Sequence, residues 1–172
     1  PNTMILPSYL PACCLLLMMT SVNADDLTDI QRKAADGDAK AQTELAIRLR
    51  DGKGIEKNDA EALMWAHKAA DAGNADAMDI VGFAYLRGAV VKRNPSIAIA
   101  YFKAAAHDSA SAAFNLGQCY FGAQGTEQDC EKALEWWKKA AEKGHGRAAA
   151  VAAMAYRSGE GVAANPKLAR QL

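Results

Sequence analysis

The residues of this chain that could carry out chemistry are three histidines, four cysteines, a few serines and scattered carboxylates. Their spacing decides what they can do. A metal site needs several of them to converge, and a catalytic zinc helix announces itself as HExxH; neither that pattern nor a paired CxxC occurs. Glycines at Gly52, Gly54, Gly159 and Gly161 are not followed by the Lys-Ser/Thr that a phosphate-cradling loop requires. Ser109 and Ser158 have no base placed by a recognisable motif, and no SxxK arrangement is present. Pairs such as Asp25 with Asp26 and Asp76 with Asp79 are ordinary neighbours on a polar face. The expectation is therefore no catalytic residue, no metal site and no cofactor.

The elements under these residues repeat. Segments starting at Ala39, Ala75, Ala110 and Gly146 superpose with spacings of 36, 35 and 36 residues, so the three histidines fall at different positions of their copies. Each copy has an aliphatic or small residue at its seventh position (Leu45, Val81, Leu116, Ala152), then a small one (Ala46, Gly82, Gly117, Ala153), then Leu49, Tyr85, Tyr120 or Tyr156. That spacing of three and four marks one face of a helix. Loop glycines follow, with Ala123 standing where the third copy should have its first. Asn58, Asn94, Asp129 and Asn165 then supply N-caps for a second helix, two of them preceding Pro95 and Pro166. This helix carries Ala62, Ala98, Ala133 and Ala169, then Trp65, Tyr101, Trp136 and Leu172, then alanine pairs such as Ala69 and Ala70. On that alignment Trp136 is expected in the core and Trp137, one step round the helix, half exposed.

A hairpin of two short helices cannot bury its apolar face alone, so such copies stack. The Leu116, Gly117, Tyr120, Gly125 series and the Asp129, Lys132, Ala133, Trp136, Ala140, Ala141, Gly144 series resemble the Sel1-like repeat, a relative of the tetratricopeptide repeat. The resemblance implies an all-α fold, a right-handed superhelix of helical hairpins, with adaptor roles at envelopes, in signalling complexes or at host interfaces. Copies are placed at 39–74, 75–109, 110–145 and 146–172, the last incomplete, so a longer protein is expected. Residues 25–38 read as an N-terminal capping helix.

Twenty Lys plus Arg balance twenty Asp plus Glu, interspersed along the helices, and no basic block exists to meet a nucleic-acid backbone. The first 24 residues hold no charge and end in Val22, Asn23, Ala24 before Asp25, the pattern of a cleaved leader. Retention as an anchor is the alternative, in which case the chain would meet a membrane. Pro7 and Pro11 interrupt the run, and the apolar stretch continues after Cys13, which is the wrong order for a lipoprotein signal. The chain is thus expected outside the cytoplasm, periplasmic or extracellular, in a bacterial setting. Export would permit a disulfide between Cys119, near the end of one helix, and Cys130, at the start of the next; two unconnected thiols are the alternative. Such a bridge closes a loop of about a dozen residues and is worth about 3 kcal/mol.

First helices line the concave side of such a stack. Their sixth, ninth and twelfth positions are Glu44, Ile47 and Arg50; Ile80, Phe83 and Leu86; Asn115, Gln118 and Phe121; and Val151, Met154 and Arg157. Apolar anchors flanked by arginines suit a groove for a peptide or partner helix. Packing between adjacent first helices is the other explanation. The sequence therefore reads as an exported, non-catalytic interaction scaffold; the alternative is a cell-wall- or glycan-associated, β-lactamase-like secreted repeat protein, whose reactive serine motif is missing.

Overall fold

The computed structural model describes residues 26–159 and 163–169. The expected leader with Cys13, and the repeat residues Gly161 and Leu172, lie outside the described residues. Helix α1 spans residues 26–35. It is followed by α2 (Ala39–Asp51), α3 (Asp59–Asp71), α4 (Ala75–Arg87), α5 (Pro95–Ala105), α6 (Ala110–Phe121), α7 (Cys130–Glu142), α8 (Gly146–Ser158) and the single turn α9 (Pro166–Ala169). The fold is all-α and its helices pair as the repeats predict.

Helices α2 to α8 each start where a side chain can satisfy their orphan amides. Asn58, Asn94 and Asp129 accept from the third residue on, at Glu61, Ile97 and Lys132, as the sequence predicts. The first helices are capped as well, by Asp38, Asn74, Ser109 and the ring of His145. One backbone bond closes every hairpin: the amides of Asn58, Asn94, Asp129 and Asn165 donate to the carbonyls of Leu49, Tyr85, Tyr120 and Tyr156 at 2.7–3.0 Å. Gly52, Gly88 and Gly159 end first helices in the left-handed conformation, at φ 70, 72 and 74°. Ala123 takes that role in the third copy at φ 50°, a conformation in which its Cβ is crowded.

Helices pack as hairpins α2–α3, α4–α5 and α6–α7, and successive hairpins meet through α3–α4, α5–α6 and α7–α8, with α4 also touching α6. The core is accordingly a row of layers: one around Leu45 and Leu49, roofed by Leu27 and Ile30 of α1, one around Val81 and Ala66, and one around Phe102, Leu116 and Trp137. That is the organisation of a solenoid, in which every unit leans on its neighbours.

Inside the hairpins the two facing helices trade volume. Phe102 and Trp137 lie over Gly82 and Gly117, so closely that a Cβ on Gly82 would sit 2.7 Å from the Phe102 ring and one on Gly117 2.5 Å from the Trp137 ring. In the first hairpin the same places hold Ala46 and Ala66, both fully buried. The expected ranking of the two tryptophans is therefore reversed. Trp137 is 2 % exposed, and Trp136 is half-buried with Lys139 over its ring at 4.2 Å. The reason is that the recurring bulky position (Trp65, Tyr101, Trp136) lies at the hairpin's flank, whereas the next residue points at the small position of the partner helix.

The expected Cys119–Cys130 bridge is likewise not what the structure holds: both thiols are free. Cys119 is turned into the third core layer, fully buried, and burial raises its pKa to about 11. Cys130 is half-buried at the first residue of α7, so helix α6 directs its sulfur into the core while the second cysteine remains at the surface.

Candidate functional site

Three recesses run in a row along the first helices. One of about 460 Å³ lies between α2 and α4, one of about 240 Å³ between α4 and α6, and one of about 500 Å³ between α4, α6 and the start of α8. The first two share Arg50, Asp79, Ile80 and Ser111; the second and third share Phe83, Phe114, Asn115 and Arg147. Shared walls make them one groove.

The predicted residues divide. Ile47, Arg50, Ile80, Phe83, Leu86, Asn115 and Gln118 line this groove, and Phe83 is 41 % exposed. Met154 and Arg157 face a separate recess against Pro166 and Ala169. Phe121 lines none of these recesses; it packs half-buried on Trp137, ring centroids 5.4 Å apart.

Sequence reasoning overlooked Asp76, Asp79, Ser111, Phe114 and Arg147, the second and fifth positions of their copies. Side chains on a helix lean toward its N-terminus, so the strip they cover is shifted back from their Cα atoms. The signal was available as the continuation of the sixth and ninth positions by a further turn.

The two ends of the groove differ electrostatically. Between α2 and α4 it mixes signs, with Lys40 and Arg50 against Glu44, Asp76 and Asp79. Asp79 accepts from the Asn115 amide at 2.8 Å, which ties α4 to α6. Burial raises its pKa to about 6; the Asn115 hydrogen bond and the Arg50 charge oppose that rise and the Asp76 carboxylate adds to it. In the recess between α4, α6 and the start of α8 the polar residues are arginines and amides. Arg87 lies over the Phe83 ring at 5.0 Å, and the Phe114 ring stacks on His145 at 4.6 Å with Arg147 over it at 5.5 Å. Among the described residues no group of three or more His, Cys, Asp or Glu could hold a metal ion. What the arrangement offers is shape, aromatic faces and guanidinium donors.

Comparison with known proteins matches four stretches of the chain, residues 39–74, 75–108, 110–145 and 147–172, to the Sel1 repeat. No curated protein matches the sequence significantly. Among solved structures the chain is similar to a protective antigen of uropathogenic Escherichia coli strains displaying an SLR fold, with 32 % identity and a TM-score of 0.75 over 84 % of this chain and 31 % of that one. It is also similar to a Sel1 repeat protein from Oxalobacter formigenes, at 33 % identity and a TM-score of 0.70, covering 80 % of this chain and 55 % of that one. Helicobacter pylori cysteine rich protein B shares the fold at 18 % identity, with a TM-score of 0.61 over 73 % of this chain and 94 % of that one. The chain thus spans about a third of the antigen and just over half of the Oxalobacter protein.

Proposed function

Because the chain belongs to the Sel1 repeat family, whose stacked hairpins serve protein interaction, we propose that it is an exported, non-catalytic scaffold that holds a peptide or partner helix along its first helices. One observation carries this reading: the continuous groove from Ile47 to Arg147, in which Phe83 stands exposed between guanidinium groups. An exposed aromatic beside a polar rim is the kind of anchor that dominates binding energy at interfaces. The uncharged first 24 residues, and the likeness to a protective antigen, support the exported part. Fractionation of cells carrying the tagged full-length protein tests that part directly, and recovery from the cytoplasm alone would end it.

The groove is tested by capture from envelope extract with the intact protein, with Ile47→Ala plus Phe83→Ala, and with Phe121→Ala. The double variant is expected to lose partners that the intact protein and the Phe121 variant retain. Identical partner lists for all three proteins would remove the groove from the account.

A further inference from the structure

The recess at the α4–α6 end is lined by Arg87, Arg93 and Arg147 and by no carboxylate. Elsewhere Arg32, Arg48 and Arg50 each hold an acidic side chain within 4.0 Å, whereas these three hold none among the described residues. In a chain with as many acids as bases, such a surplus arises from placement and not from composition.

The placement is also built. Arg93 donates from Nε to the Leu86 carbonyl at 3.1 Å, which fixes the base of its guanidinium at the end of α4. Gly88, at φ 72°, lets the loop come that close, since a Cβ there would sit 2.7 Å from the Arg93 Cβ. Arg87 and Arg147 lie over the Phe83 and Phe114 rings, 5.0 and 5.5 Å from the centroids, so an aromatic contact helps to place each of the two cations.

We infer that this end of the groove binds an acidic peptide segment, with an Asp or Glu carboxylate among Arg87, Arg93 and Arg147 and an adjacent apolar side chain against Phe83. The inference deepens the proposed groove and rests on it. Guanidinium forks pair with carboxylates through parallel hydrogen bonds, and three uncompensated cations in one recess repel a basic partner. The other end sets Glu44, Asp76 and Asp79 against Lys40 and Arg50, so it offers a continuation of the acidic run no surplus of cations. The two ends together set the direction in which a peptide of mixed charge lies.

The test uses the full chain and two acetylated, amidated peptides, Glu-Asp-Phe-Glu-Asp-Glu and its uncharged counterpart Gln-Asn-Phe-Gln-Asn-Gln, titrated calorimetrically at low ionic strength, with inorganic phosphate as a third titrant. The acidic peptide is expected to bind at least about tenfold more tightly than the uncharged one, and raised salt to weaken it. Arg87→Gln with Arg147→Gln, both at exposed positions, is expected to cost the acidic peptide about tenfold or more while circular dichroism stays unchanged. Lys68→Gln with Lys139→Gln removes the same charge from the second helices and is expected to leave affinity intact.

Equal affinity for both peptides, no binding of the acidic one, or equal losses in the two double variants would overturn the inference; phosphate binding as tightly as the peptide would reassign the recess to a small anion. If both peptides bind alike and Phe83→Ala weakens both, the acidic preference fails while the groove stands. If neither binds and partner capture ignores Phe83, both fail.

Discussion

The first and third hairpins have the same backbone plan and opposite interiors. In the first, Ala46 and Ala66 fill the space between helices with two methyl groups; in the third, Gly117 has given up its side chain to Trp137. The stacking interfaces differ too. Position five of the first copy is Thr43, whose hydroxyl donates to its own helix at the Ala39 carbonyl, whereas in the second copy it is Asp79, which bridges to Asn115 of the next repeat. The comparison teaches that the repeat keeps its closing backbone bond, lets the facing positions fill the space between helices with side chains of different size, and leaves the chemistry of each layer free.

The largest effect expected of that difference is at Trp137. Trp137→Ala empties the third layer and should destabilise by about 3–5 kcal/mol in urea unfolding. Gly117→Ala should also destabilise, because its Cβ meets a ring enclosed by the core. Both changes together import the first hairpin's solution, so the double variant should be more stable than the sum of the two losses predicts. Strict additivity would show that the two positions do not share one volume.

Asp79 comes next. Burial moves its pKa from 3.8 to about 6, so between those values the folded chain keeps a proton that the unfolded chain has released. Its contribution is most favourable below pH 4, declines as pH rises through that window, and stays unfavourable above it. Asp79→Asn keeps an acceptor for Asn115, and should therefore stabilise by about 1–3 kcal/mol at pH 7 and by nothing at pH 3.5. Equal midpoints for both proteins at pH 7 would place Asp79 in a water-like setting.

A smaller difference separates the loops. The first two hairpins turn on Gly52 and Gly88, the third on Ala123 in the same left-handed region. Ala123→Gly should raise stability by about 1 kcal/mol, the crowding relieved less the chain entropy added. A loss on thermal unfolding would mean that the alanine methyl packs.

Smallest is Trp137→Phe, which copies Phe102 of the second hairpin. The indole Nε1–H is buried with no partner among the described residues, so losing it offsets the lost volume, and the change should stay within about 1 kcal/mol.

Much of this molecule could be read without coordinates. The 36, 35 and 36 spacing located the hairpins, the Asn and Asp caps located the second helices, and the missing glycine at Ala123 marked the strained loop. Positions six and nine of the first helices found most of the groove wall through Phe83, Asn115 and Gln118. Less legible was anything that depends on which way a side chain leans. Position twelve put Phe121 on the wrong surface, and adjacent tryptophans could not be ranked, since a step of one residue turns a helix by about 100° and only the partner helix decides which direction is inward.

What the sequence alone determined is the periodic part: helix starts, turns, small and large positions, and with them a stack of hairpins, because caps, glycines and apolar spacing act through bonds only a few residues long. What only the tertiary structure decided is the pairing across copies. Asp79 meets Asn115, Arg93 folds back on Leu86, and Arg87 and Arg147 come to one recess through the angle at which neighbouring hairpins pack. That angle is the joint result of every layer's filling, so no single copy contains it.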